Sequence, residues 1–284
     1  MLVVDIPSMG VRARYPLPGG IDFRGLVVGP VSGRLYAVGN RAGPKLLDDE
    51  FDVHERNVVV VVLDPLGGEQ VARAIVRQAD GHDWLVYRVV ISEDERTLYV
   101  SYHGLDTSGA DAVAVADKTL TGCHASGREH LGCFQRVHGS VEPVGEKVVA
   151  STGSPAVIEI GRSGAVERSW TTGLESDHLM ELALTPDRSA IYALGSCAQA
   201  GGLSAIGLED DPTSDVVPPG SELFVCGERL AAGARSMAFV GQTDGASLVG
   251  LGSLLFIDVG SKRVVRRIAT PFAAADLVAI TSAG

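Results

Sequence analysis
The feature that most constrains this chain is an internal repeat. In Leu85–Val100 an apolar run, a serine, a polar turn and an apolar strand with a tyrosine follow one another, and His178–Ala193 repeats that order with a threonine in place of the serine. Asp22–Ala37 keeps the same internal spacing, weaker copies occur at Gln135–Ala150 and Arg235–Gly250, and a sixth starts at Ala273. Copies recur every roughly 43 to 63 residues, the length of one four-stranded unit plus loop insertions. A second strand pair follows each hairpin, as in Val58–Leu63 with Gln70–Val76, Ala156–Ile160 with Ala165–Trp170, and Leu254–Val259 with Arg263–Ile268.

No convincing amphipathic helix interrupts this pattern. Glycine occurs 35 times, and the segments between apolar runs carry Pro, Gly, Ser and Asp, which is turn chemistry. Alternation is visible in strands such as Arg263–Ile268 and blurred in the inner ones, as expected if inner strands are buried between neighbouring sheets on both faces. Short strands with turns throughout would also fit a sandwich, but the repeat favours radial repetition. The expectation is therefore an all-β chain forming a single β-propeller domain over residues 1–284. Six blades are expected, with seven as the alternative if a blade lies within Gly104–Cys133 or Gly201–Cys226. Leu2–Ile6 and Val11–Tyr15 read as an outer strand pair, and Leu277–Thr281 as an inner strand. Strands from both termini would then close the last blade and remove an open edge.

Val90–Val100, Leu184–Tyr192 and the strand-turn pair Leu255–Val265 resemble the YVTN-type and lactonase-like β-propeller repeat proteins. The resemblance covers most of the chain and implies architecture only, since propellers host hydrolases, lyases, isomerases, redox domains and pure binding scaffolds. Trp-Asp-repeat proteins are less similar, because Trp84 and Trp170 lack the expected blade context. The gluconolactonase and senescence-marker propellers hold a channel metal through Asn, Asp and Glu. Here the asparagines are Asn40 and Asn57, and a set of Asp22, Asp177, Asp276 and Glu181 is a weak substitute.

A net charge of −11 argues against a nucleic-acid partner, which needs clustered Lys and Arg. No apolar run approaches the length of a membrane span. The amino terminus has no basic segment, apolar core or cleavage site, which reads as cytoplasmic. Cys123, Cys133, Cys197 and Cys226 read as free thiols in that setting. Cys123 with His124, His130 and Cys133 lacks the paired spacing of a structural zinc site. His103, Asp106, Thr107, Ser108 and Asp111 read as a loop leaving a blade, explained by Asx and Ser turns without a cation. Neither a cofactor nor a metal is expected, and no nucleophile elbow, phosphate loop or dinucleotide fingerprint occurs.

Innermost propeller strands surround a channel, and equivalent repeat positions face equivalent directions. Aligned by their tyrosines, three copies offer Arg88, His138 and Glu181 at one position, where others carry Gly25, Ala238 and Leu277. One step along lie Arg24, Tyr87, Val137, Met180, Met237 and Asp276. Just outside are His82, Asp83, Asp177, His178, Asp22 and Arg235. A cation, an imidazole and a carboxylate at one depth could bind an anion and move a proton. Arg88, His138 and Glu181 are thus the candidate catalytic set, with Arg24, Tyr87, His82, Asp177, His178 and Arg235 as candidate ligand contacts. Arg88 with Glu181, or Asp83 with Arg24, would equally serve as staples between blades.

Two functions stay open. One is an enzyme acting on a small polar or anionic metabolite at the channel mouth by hydrolysis, elimination, cyclisation or isomerisation. The other is a non-catalytic scaffold binding a protein partner across the ring face, with Ala42–Arg56, Gly104–Cys133 and Leu208–Glu222 as candidate surface insertions. A small-molecule ligand is expected before a protein partner.

Overall fold
The computed structural model describes residues 2–5, 10–14, 17–45, 54–64, 68–79, 82–103, 108–116, 119–122, 133–135, 137, 139–152, 156–161, 165–172, 181–195, 202–208, 213–217, 229–233, 237–243 and 252–270. Every regular element among them is a β-strand. A first pair, β1 (Leu2–Asp5) and β2 (Gly10–Arg14), is antiparallel, with Leu2 opposite Arg14. Five larger antiparallel sheets follow, each a meander of consecutive strands.

Blade 1 holds β3 (Asp22–Val28), β4 (Leu35–Lys45), β5 (His54–Leu63) and β6 (Gln70–Arg77). Blade 2 holds β7 (Leu85–Ile91), β8 (Thr97–His103), β9 (Ser108–Ala116), β10 (Thr119–Gly122) and β11 (Cys133–Gln135). Blade 3 is β12 (Val141–Val144), β13 (Lys147–Ser151), β14 (Ala156–Ile160) and β15 (Val166–Thr171). Blade 4 is β16 (Glu181–Leu184), β17 (Ala190–Gly195), β18 (Gly202–Gly207) and β19 (Thr213–Val217). Blade 5 is β20 (Arg229–Gly233), β21 (Met237–Thr243), β22 (Gly252–Asp258) and β23 (Arg263–Thr270). First strands of successive blades stand side by side, β3 against β7, β7 against β12, β12 against β16 and β16 against β20. Neighbouring innermost strands with strands stepping outward from them make a β-propeller.

The cores explain why the middle strands lack alternation. Val58, Val60 and Val62 of β5 join Trp84, Val86, Val89, Leu98 and Val100 in the core between blades 1 and 2. Val59, Val61 and Leu63 of the same strand enter a separate core on the opposite face. Because successive side chains point to opposite faces, a strand sandwiched between two cores must be apolar at every position. The same division recurs in blade 4, where Leu182, Ile191 and Ala193 face blade 3 and Ala183, Tyr192 and Leu194 face blade 5. Each fully buried aliphatic side chain contributes about 1.5–3 kcal/mol through removal from water. The innermost strands β7, β12 and β16 are largely buried as well, as expected, while the innermost β3 is only half-buried over most of its length.

Three further expectations are corrected. The stretch from Gly104 to Cys133 is not one insertion, because it contains β9 and β10 and ends at β11. β10 and β11 share one edge of β9, β10 beside Val113–Ala116 and β11 beside Gly109–Asp111, so the fourth strand of blade 2 is built in two pieces. Ser108 and Asp111 consequently lie on β9, and His103 ends β8 opposite Ser108. In blade 5 the repeat copy beginning at Arg235 belongs to β21, the second strand, and the innermost strand is β20. Ala42–Lys45 and His54–Arg56 extend β4 and β5, and Thr213–Val217 forms β19, so these proposed insertions are shorter than expected. Of the blade expected from both termini, β1 and β2 are described, while Leu277–Thr281 lies outside the described residues.

Candidate functional site
Turn chemistry sets the depth of each inner strand. In blade 2, the Thr97 amide donates to Ser92 Oγ at 3.0 Å and the Glu95 amide to the Ser92 carbonyl at 2.9 Å. In blade 4, the Ala190 amide donates to Thr185 Oγ1 at 3.1 Å and the Arg188 amide to the Thr185 carbonyl at 2.8 Å. The repeated Ser or Thr is therefore the hydroxyl that closes the hairpin. Glu95 and Arg188 take the same left-handed position, φ 57° and 60°. With equal turns, Arg88 pairs with Ser101 and Glu181 with Leu194, and both stand at one level.

Blade 3 breaks the spacing. Its hairpin turns through Gly145 and Glu146, with Val144 opposite Lys147 and Gly145 at φ 60°. Ser151, which matches Ser101, therefore has Ser140 opposite it, the Ser151 amide donating to the Ser140 carbonyl at 3.0 Å. The residue level with Arg88 in this blade is Ser140, two positions beyond the His138 that uniform spacing selects. His138 itself lies outside the described residues, as do Asp177, His178, Arg235 and Asp276.

Glu142 is the functional-site residue that sequence reasoning missed. It lies on β12 beside Pro143, and the signal for it was the short Val-Gly-Glu-Lys turn that follows. Arg88 Nη2 donates to Glu142 Oε1 at 3.4 Å and to the Leu230 carbonyl at 3.4 Å. Arg88 Nη1 lies 3.4 Å from Glu181 Oε2. One guanidinium thus links the first strands of blades 2, 3, 4 and 5. All three ionic side chains are buried, Glu181 most deeply at 2% exposed. Burial pushes the Glu142 carboxyl up to about 7, and neighbouring Glu181 pushes the same way while Arg88 pulls against both. Two carboxylates facing one guanidinium leave an excess negative charge if both ionise, and desolvation makes that excess costly. On the hairpin side, Arg188 Nε meets Glu93 Oε1 at 2.7 Å, joining the turns of blades 4 and 2.

The remaining candidates take local roles. Arg24 and Tyr87 occupy equivalent β-bulges, where the β3–β4 and β7–β8 registers shift. Arg24 is exposed and pairs with Asp22 of its own strand at 2.6 Å. Tyr87 stacks edge-on to His103 at 6.3 Å. His82 is exposed with its ring 4.7 Å from Trp84. Asp83 pairs with Arg56 at 2.6 Å, so the expected Asp83–Arg24 staple is replaced by a pair within reach of an isolated bridge between Arg56 and Asp83.

Two more buried clusters join blades 1 and 2. Arg77 holds both oxygens of Asp111 at 2.9 and 3.0 Å, and its guanidinium lies over Trp84 at 4.1 Å and Tyr102 at 4.4 Å. Glu95 accepts from the Ser32 amide at 2.8 Å, the Val31 amide at 3.1 Å, Tyr36 Oη at 2.6 Å and Ser32 Oγ. A Cβ at Gly29 would run into that carboxylate, so a larger residue there would have to push Glu95 out of its clasp. Among the described residues no group of three or more His, Cys, Asp or Glu side chains is placed to hold a metal ion.

An all-β ring with a charged centre defines the class, a β-propeller, and comparison with solved structures gives the same class. The nidogen/laminin complex contains a chain with TM-score 0.60 and 10% identity, covering 98% of this chain and 92% of that one. The Cps50 (Swd1) β-propeller domain of Myceliophteria thermophila has TM-score 0.58 and 12% identity, covering 95% of this chain and 80% of that one. Hydrazine synthase of Kuenenia stuttgartiensis has TM-score 0.59 and 14% identity, covering 97% and 82%. At those identities the likeness is one of fold, and it includes binding scaffolds and an enzyme alike. No protein-family model matches the sequence, and no curated protein matches it. These neighbours support the propeller architecture that the YVTN-type and lactonase-like resemblance implies, and no specific family.

Proposed function
We propose that this chain is a non-catalytic propeller scaffold that binds a protein partner. One observation carries the reading: Arg88, the cation best placed to hold a ligand, is engaged by two carboxylates and a carbonyl from three other inner strands. An anionic metabolite arriving there would meet two carboxylates for one guanidinium. Displacing either would leave a buried charge without its partner, which costs about 3–5 kcal/mol. The centre then works as a staple, and recognition falls to the outer surfaces. The nidogen/laminin complex is a protein assembly, in agreement with this reading.

A second reading has one observation in its favour. Glu142, with a carboxyl pushed up to about 7, can exchange a proton near neutrality, as channel-mouth chemistry on a small polar or anionic metabolite requires. In that reading Arg88 holds the substrate, and His138 and Glu181 shuttle the proton. Its expected ligand contacts are Arg24, Tyr87, His82, Asp177, His178 and Arg235. Isothermal titration calorimetry against a panel of small carboxylates, phosphates and lactones separates the two. The scaffold reading expects no saturable binding. A ligand whose affinity falls in folded Arg88→Gln, Glu181→Gln and His138→Ala variants would overturn it in favour of the enzyme.

A further inference from the structure
Outer strands of propeller blades expose one unpaired edge, and β23 differs from the other described ones in its charge. Lys262, Arg263, Arg266 and Arg267 lie along it or at its start, all exposed, with Val265 exposed beside them at 56%. Among the described residues none of the four cations forms an ion pair. Arg266 lies over the Phe256 ring at 5.9 Å. Asp258, opposite Arg263 in register, is occupied by the turn amides of Gly260 at 3.0 Å and Ser261 at 3.3 Å. The contrast with β15 is direct. There Glu167 pairs with Lys147 at 2.8 Å, and Arg168 donates to the Leu208 carbonyl at 2.9 Å. β10 carries no charge and β19 a single aspartate.

The strand is also held along its inner side, with one bulge opposite Phe256–Ile257. β23 is eight residues long and is paired to β22 from Gly252 opposite Thr270 to Asp258 opposite Arg263. Among the described residues nothing pairs with its other edge. We propose that this edge is a docking strip for an extended acidic segment of a partner protein, which adds as a further strand and sets Asp or Glu side chains against Lys262, Arg263, Arg266 and Arg267. The proposal rests on the scaffold reading and names the partner chemistry for it.

Four cations bar a second copy of β23 from pairing with the first, since like charges would face one another. They favour an acidic strand for the same reason. Strand addition uses the free main-chain groups for affinity and alternate side chains for selection. A nucleic acid could meet the cations but has nothing to match the ladder, and the net charge of −11 works against a long polyanion.

The test is fluorescence anisotropy with a labelled, end-blocked decapeptide of alternating Glu and Thr. Three comparisons accompany it: the same composition interrupted by proline, a single-stranded DNA 10-mer, and an Arg263→Gln/Arg266→Gln/Arg267→Gln variant. An Arg73→Gln variant on β6 is the control. The expected result is saturable binding, weakened about tenfold or more both in the triple variant and by proline, and unchanged by Arg73→Gln. No saturable binding, equal binding of the proline peptide, equal or tighter binding of the DNA, or indifference to the triple variant each overturns the proposal. Calorimetry at the channel judges the scaffold reading independently of these outcomes.

Discussion
Glu142 and Glu95 are nearly equal in exposure, 8% and 9%, yet their carboxyls move in opposite directions. Glu142 lies at the axis, where one guanidinium at 3.4 Å serves it and Glu181 together. Burial dominates there, and the carboxyl rises to about 7. At Glu95 burial also works to raise the carboxyl. The Ser32 and Tyr36 hydroxyls and the Ser32 and Val31 amides outweigh it and hold the group below its ordinary value. The difference lies in depth, since Glu142 is wholly enclosed at the axis while Glu95 sits nearer the surface, and in the supply of donors. A buried carboxylate with several short hydrogen bonds is comfortable as an anion, and one sharing a distant cation is not.

Removing the shared cation should break the comparison most severely. Arg88→Met leaves Glu142 and Glu181 buried together without compensation, and a loss of about 3–5 kcal/mol is expected in urea unfolding at pH 8. The loss should shrink at pH 5, where Glu142 can remain protonated. Next comes Glu95→Ala, which strands the Tyr36 hydroxyl and two amides in the contact between blades 1 and 2. A destabilisation of about 2–3 kcal/mol is expected by the same measurement.

The two acids also give opposite pH dependences. A folded-state value raised above the unfolded one means stability is lost as pH climbs from 4.5 towards 7 for Glu142. For Glu95 the folded value is lowered, so its contribution is present above the unfolded value and disappears as pH falls through the folded one. Glu142→Gln should therefore raise stability at pH 8 by on the order of 1–2 kcal/mol and change little at pH 5. Glu95→Gln should lower stability at pH 7, with the difference from wild type closing in acid. A profile with the two variants interchanged would refute the assignment of causes. The smallest effect belongs to the exposed Arg24–Asp22 pair. Arg24→Ala should alter stability by no more than about 0.5 kcal/mol at any pH.

The same contrast shows what was readable in the sequence. Blades 2 and 4 have equal hairpins closed by Ser92 and Thr185, so residue spacing alone aligned Arg88 with Glu181, and the structure brings them together. Blade 3 has a turn two residues shorter, and spacing then picked His138 where register gives Ser140. Glu142 was hidden by that shift and by Pro143, which weakens the look of a strand. In blade 5 the inner strand is the small-residue run Arg229–Gly233, too weakly apolar to compete with Met237–Thr243 for the first position. The Glu95 clasp and the Arg77 sandwich were out of reach for a different reason. Each depends on which face of one blade meets the next, and that follows from packing between blades, beyond the pattern within any one of them.

The central claim is that Glu142 and Glu181 share one guanidinium at the axis, which a carboxyl-carbon NMR titration of Glu142 tests most directly. It predicts a midpoint near 7 in the wild type that moves down in Glu181→Gln, because the neighbouring negative charge is gone. A midpoint in the ordinary carboxylate range, or one indifferent to Glu181→Gln, would contradict it.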